Sequence, residues 1–309
     1  MINKKNISIC SRTFYKNLEL RSELEKIFQN IKFNKSSKTL DGKSLVNFLN
    51  GSEITLVGLE KMSQKILNQL PNLKTIVKYG VGLDKIDLKY LKKNKINFFH
   101  FPGFNKRSVS ELVLSFMLSI SRNLIELNSL AKKNSWTQLM GNNLSEKKIG
   151  IIGCGFIGKD LINLLKPFNC KIYVNDIINI DDCLIKNKIM LKKKKDIFLE
   201  CDFISIHIPF NKRNKNSINK KYLQLMKPTA SLINTSRGGI VDEEYLHKIL
   251  KNKSIRSAYF DVLNVEPPKK NSKILKLKNF FISPHIGGST KESIMKGGFL
   301  CIKKLAQIK

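Results

Sequence analysis

Residues 148–158 read Lys-Ile-Gly-Ile-Ile-Gly-Cys-Gly-Phe-Ile-Gly, an apolar strand running directly into glycines at Gly-x-Gly-x-x-Gly spacing. Few folds accept this. Gly153 permits a tight turn, Gly155 lets a ligand approach the backbone, and Gly158 lets the following helix close onto the strand. The helix start offers free N–H groups and a positive dipole end, which suit phosphate. Asp176 ends the next apolar segment, eighteen residues after Gly158. Its carboxylate can accept from both hydroxyls of a ribose and repels a 2′-phosphate, which favours NAD over NADP. No lysine or arginine at Ile177, Ile178 or Asn179 opposes that preference. The competing role for Asp176 is to cap a turn.

The remaining sequence repeats the alternation of strand and helix. Upstream, Asn6–Cys10, Ile54–Gly58, Leu73–Val77 and Ile96–Phe99 read as short strands, the last stopped by Pro102-Gly103. Leu18–Phe28 has helical spacing, with Leu20, Leu24, Ile27 and Phe28 on one face. Downstream, strands are predicted at Lys148–Ile152, Ile172–Asp176, Phe203–Ile208, Ser231–Asn234, Ser257–Asp261 and Phe280–Ser283, with a final helix from Lys291. A single long helix is predicted from Ser108 to Lys133, with Ser108 as N-cap and Glu111 completing a capping box. Its apolar face suits a second subunit or an internal core equally well. The class is α/β with doubly wound parallel sheets, and 309 residues suit two domains.

Composition narrows the partners. The chain carries a formal charge of +32, but only seven of its 56 basic residues are arginine. Phosphate forks and base edges favour arginine, and Lys192–Lys195 has no interleaved aromatic for base stacking. The lysines therefore read as solvated faces, with no nucleic-acid partner expected, although their field can collect small anions. No apolar run reaches membrane-spanning length and no secretory leader is visible. Six scattered cysteines without a C-x-x-C pair read as reduced thiols, so a cytoplasmic location is expected.

Three segments downstream carry reactive side chains: Arg237 in Asn-Thr-Ser-Arg-Gly-Gly, Glu266 in Asp-Val-Leu-Asn-Val-Glu-Pro, and His285 in Pro-His-Ile-Gly-Gly. Each follows a predicted strand, at the carboxyl edge where α/β ligand sites form. A histidine can move a proton near neutral pH. A carboxylate beside it stabilises imidazolium and fixes its tautomer. A guanidinium holds a carboxylate bidentately. The set suits hydride transfer at a hydroxyl carbon next to a carboxylate. Glu266 reads equally as a surface loop residue, and Arg237 alternatively as a structural ion pair. His100, His207 and His247 read as structural rather than catalytic, and no metal site is indicated.

These segments, with Lys78-Tyr79-Gly80-Val81-Gly82-Leu83-Asp84, Asn105–Leu112 and Pro284–Glu292, resemble the D-2-hydroxyacid dehydrogenase family over nearly the full length. The Ser-Thr-Lys-Glu tail of the last segment leans toward its phosphoglycerate dehydrogenase branch, here without a C-terminal regulatory domain. The resemblance implies two Rossmann-like domains: a substrate domain of residues 1–101 plus 287–309, and an inserted NAD-binding domain of residues 102–286. It implies His285 as acid/base, Glu266 as its partner, and Arg237 as binder of the substrate carboxylate and carbonyl. Gly153, Gly155, Phe156, Ile157, Gly158, Asp176, His207, Thr235 and Asp261 would contact NAD, with Asp261 on the nicotinamide amide. Lys78, Val81, Gly82 and Asn105 would contact a small anionic substrate, and the assembly would be a homodimer or homotetramer. Lys78 replaces the family's usual arginine, keeping charge but losing the fork, and Ser110 replaces alanine; Arg12 and Arg107 are further candidates for a phosphate.

Overall fold

The computed structural model describes residues 3–36, 38–178 and 189–308; Asn179 and Cys183 lie outside the described residues. It divides into two compact units, 1–105 with 289–309, and 106–288. Both are parallel α/β layers, as the alternation of strand and helix predicts.

The first unit holds strands β1 (Ile7–Ile9), β2 (Ile31–Phe33), β3 (Ile54–Val57), β4 (Thr75–Lys78) and β5 (Asn97–Phe99). Their order is β2-β1-β3-β4-β5, all parallel. Helices α1 (Arg12–Lys16), α2 (Leu18–Glu25), α3 (Gly42–Leu49), α4 (Gln64–Leu67) and α5 (Leu88–Lys93) belong to it. β3 and β4 are buried on both faces, as expected where helices cover both sides of a parallel sheet. The direction of winding reverses between β1 and β3, so the loops after Ile9 and Val57 flank a switch point, the usual place for a ligand.

The second unit contains α6 (Lys106–Ser121), α7 (Leu124–Ala131), β6 (Lys148–Ile152), α8 (Phe156–Leu165), β7 (Lys171–Asn175), β8 (Ile189–Leu191), α9 (Lys194–Glu200), β9 (Phe203–Ile206), α10 (Lys220–Leu223), β10 (Ser231–Asn234), α11 (Glu243–Lys251), β11 (Ser257–Phe260) and β12 (Phe280–Ile282). The order β12-β11-β10-β9-β6-β7-β8 is parallel throughout. Its switch point lies between β6 and β9. The glycine loop follows β6 and His207 follows β9. After this unit, α12 (Lys291–Ala306) returns to the first and buries Cys301, Ile302 and Leu305 with Phe14, Leu20 and Leu24.

The predicted helix over 108–133 is two helices. α6 begins at Lys106, so Ser108 lies buried inside it rather than capping it. The run breaks at Arg122–Asn123 with a 62° bend between α6 and α7. Asn123 adopts a left-handed conformation, φ 54°, which asparagine tolerates better than most residues. α6 buries Val113, Phe116, Met117 and Ile120 against Ile149, Ile151 and Leu161, whereas α7 buries none of its residues. No single described helix is long and apolar enough to cross a membrane.

Candidate active site

The carboxyl edge of the second sheet gathers the predicted cofactor residues. At Gly153, φ is 99°, and a Cβ there would meet the His207 carbonyl carbon and oxygen at 2.8 Å. At Gly158 a Cβ would lie 2.3 Å from the Gly153 carbonyl oxygen. The loop and helix pack too closely for side chains at these two positions. At Gly155 a Cβ would enter open space, which is the room a pyrophosphate needs. Phe156 and Ile157 open α8 directly after it.

Asp176 does cap a turn, accepting from the N–H groups of Ile177 at 2.6 Å and Ile178 at 3.2 Å through Oδ1. Its Oδ2 also accepts the Cys154 N–H of the glycine loop at 2.5 Å, so the carboxylate ties the ends of β6 and β7 together. His207 Nδ1 and Thr235 Oγ1 are buried with no hydrogen-bond partner. A buried polar atom left unpaired costs about 1–3 kcal/mol, so both atoms are places where a polar ligand gains. Ser205 bonds His207 Nε2 at 2.9 Å, and burial pushes this imidazole down to about 4, leaving it neutral. The residues fit a dinucleotide: open space at Gly155, an acceptor at Asp176, and unpaired polar atoms at His207 and Thr235.

β10, β11 and β12 are consecutive neighbours in the sheet, and their carboxyl ends carry Arg237, Glu266 and His285. The structure brings the last two together, His285 Nδ1 lying 2.6 Å from Glu266 Oε2. Glu266 Oε1 accepts the Leu263 N–H at 2.9 Å. Arg237 Nη1 donates to the Ser236 carbonyl at 2.8 Å. Burial acts to raise the Glu266 pKa, but the His285 hydrogen bond, the Leu263 N–H and the charges of His285 and Arg237 outweigh it, holding the group below the usual glutamate range. With Nδ1 engaged by Glu266, Nε2 is the ring nitrogen that can exchange a proton with a substrate hydroxyl.

The remaining predicted ligands belong to the first unit. Val81 and Gly82 lie half-buried in the loop after β4, and Asn105 Oδ1 is buried without a hydrogen-bond partner. Lys78, at the end of β4, is only 5% exposed, and its ammonium donates to the Gly58 carbonyl. Glu60 accepts the Gly58 N–H at 2.6 Å. Arg107, in the second unit, donates from Nη2 to Asp160 Oδ1 at 3.1 Å, with Nε at ion-pair distance from Oδ2, so its guanidinium is engaged by α8. Ser110, where alanine is usual, reaches the Ile157 carbonyl at 3.3 Å.

Sequence reasoning missed three residues. Asn234, fully buried at the end of β10, shapes the Arg237 turn by accepting from the Ser236 N–H and donating to the Arg237 carbonyl, both at 3.0 Å. Asparagine after a strand and two residues before a serine was the available signal. Glu243 accepts the Asn264 N–H at 2.6 Å within the Glu266 loop, and Ser283 donates to Asp261; neither had a local signature. His247 lies on α11, and His100 stacks on Phe98 with ring centroids 5.7 Å apart. Among the described residues no cluster suited to a metal occurs.

A family model for the D-isomer specific 2-hydroxyacid dehydrogenase NAD binding domain matches residues 114–287, more than half of the chain. The chain is 31% identical over 275 residues to the hydroxypyruvate reductase of Thermotoga maritima, covering 87% of this chain and 89% of that one. It is 32% identical over 273 residues to D-3-phosphoglycerate dehydrogenase of Escherichia coli, covering 86% of this chain and 66% of the longer relative. A solved D-lactate dehydrogenase from Aquifex aeolicus, complexed with NAD and lactic acid, matches with a TM-score of 0.87 and 26% identity over 97% of this chain and 94% of that one. Fold, glycine loop and sequence similarity thus agree, and the chain belongs to the D-isomer-specific 2-hydroxyacid dehydrogenases, a family of NAD-dependent enzymes.

Proposed function

We propose that this enzyme interconverts D-3-phosphoglycerate and 3-phosphohydroxypyruvate, oxidation being the direction that feeds serine synthesis. The observation that carries the proton-transfer half of this reading is the 2.6 Å contact between His285 and Glu266. In oxidation, His285 Nε2 takes the C2 hydroxyl proton while Glu266 holds Nδ1–H and offsets the imidazolium charge. Arg237 clamps the substrate carboxylate and stabilises charge on the oxygen that becomes the carbonyl. Bound NAD would supply the acceptor for the hydride of C2. The glycine loop, Asp176, His207 and Thr235 hold the cofactor, and Val81, Gly82 and Asn105 bind the substrate.

Similarity to the phosphoglycerate dehydrogenase of E. coli and the Ser-Thr-Lys-Glu segment support the phosphorylated substrate. A second reading, reduction of hydroxypyruvate or glyoxylate, draws on nearly equal identity to the T. maritima enzyme and on the commitment of Lys78 to Gly58. Assaying NADH formation and consumption over phosphorylated and plain 2-hydroxy and 2-oxo acids separates them. Turnover of glyoxylate with none of any phosphorylated acid would remove the leading reading. His285→Ala should lower turnover by at least about a hundredfold, the lower end for general acid–base catalysis; near-normal turnover would take His285 out of the mechanism.

The assembly we infer is a homodimer or homotetramer in the cytoplasm. α7 exposes Leu124 and Ile125, and beyond it Trp136 and Met140 are 90% and 96% exposed. Apolar side chains so presented suit a second copy of the chain. The five described cysteines are all buried, in keeping with a reducing compartment.

A further inference from the structure

We propose that Glu243 is a positioning residue that ties the Arg237 turn to the Glu266 loop, resting on the reading of Glu266 and His285 as the acid–base pair. Glu243 opens α11 six residues after Arg237, and its Oε1 accepts the Asn264 N–H at 2.6 Å. The adjacent N–H, that of Leu263, goes to Glu266 Oε1 at 2.9 Å. Gly238, next to Arg237, lies against the same segment: a Cβ there would overlap the Leu263–Asn264 peptide. One peptide group is thus held by the Arg237 turn through close contact and by Glu243 through a hydrogen bond to a carboxylate, stronger than a neutral one. Glu266 follows Asn264 by two residues.

Helix capping does not account for Glu243. Asp242 is the N-cap of α11 and accepts the Tyr245 N–H at 3.0 Å, and Glu244 places another acid in the first turn. Glu243 is instead half-buried. Burial raises its pKa above the usual glutamate range, the Glu266 charge acts in the same direction, and the Asn264 hydrogen bonds oppose them. A carboxylate serving the helix dipole alone would turn to solvent, where its charge costs less. α11 is a firm support, since Leu246 and Leu250 are buried in the same core as Leu263. A shift of the Leu263–Asn264 peptide would carry Glu266 away from His285 Nδ1, and the ring would lose both its fixed tautomer and its counter-charge.

The test compares three substitutions in the full chain. Glu243→Ala removes the acceptor. Glu243→Asp keeps the charge and the helix start but falls short of Asn264, and Glu243→Gln keeps an acceptor oxygen at full reach. In the alanine variant, amide exchange at Asn264 should quicken and kcat should fall, each at least about tenfold, with substrate KM and NADH Kd within about twofold. Aspartate should give the same pattern in weaker form, and glutamine should recover most of the loss. Parent-like turnover in the alanine variant overturns the proposal. So does a glutamine variant as slow as alanine, since charge rather than the hydrogen bond would then be at work. If Glu243→Ala fails to fold, the aspartate variant decides, and unchanged exchange and kcat there overturn the proposal. The acid–base reading fails separately, on near-normal turnover in His285→Ala.

Discussion

Glu266 shows how much one carboxylate can be asked to balance. Burial works against its charge, while His285, the Leu263 N–H and Arg237 favour it and prevail. Its folded-state pKa is depressed, so the stability it contributes is fully present above the unfolded glutamate value of about 4.3 and is lost as pH falls through the lower folded value. Glu266→Gln should therefore lose less melting temperature than the parent between about pH 5 and pH 3, measured by thermal unfolding across that range. Its turnover should fall within the about 10²–10⁴-fold span that acid–base catalysis contributes. Lys78 poses a different question, since its ammonium braces the Gly58 carbonyl from a buried position. Lys78→Met should raise KM for phosphorylated and plain acids by the same factor, about tenfold if one charged hydrogen bond is lost. A loss confined to phosphorylated acids would return Lys78 to direct phosphate binding.

At the scale of the element, the strand–turn–helix of β6 and α8 has the least tolerance. A methyl group at 158 would overlap the Gly153 carbonyl oxygen at 2.3 Å, so Gly158→Ala should cost about 1–3 kcal/mol of stability and weaken NADH binding, both measurable by unfolding and fluorescence titration. This element was legible in the sequence because each glycine answers a local demand. Strands β2 and β8 were not: each is three residues long, contains or adjoins lysine, and owes its conformation to pairing with β1 or β7. The break between α6 and α7 was hidden because apolar spacing continues through Asn123 while the backbone does not. In the site, the partnership of Glu266 and His285 could be expected from residue type and strand-end position alone. The holds exerted by Asn234 and Glu243 could not, since they are hydrogen bonds to backbone that only the folded loops bring within reach.

Considered whole, the molecule joins an anion-binding chemistry to a surface of strong positive charge, +32 in formal terms. Exposed charges act over about 10 Å at 0.1 M salt, so KM for a 2-hydroxy acid should rise several-fold between about 20 and 500 mM salt while kcat stays level. A flat KM would reduce the lysines to composition alone. The topology sets an order of assembly as well. Residues 106–288 form a continuous unit and can close as soon as they leave the ribosome. The first unit has been synthesised by then, yet it still lacks α12, which fills the space among Phe14, Leu20 and Leu24. The earliest-made part of the chain is thus the last completed, leaving its apolar interior open to chaperones and proteases until residues near 305 emerge.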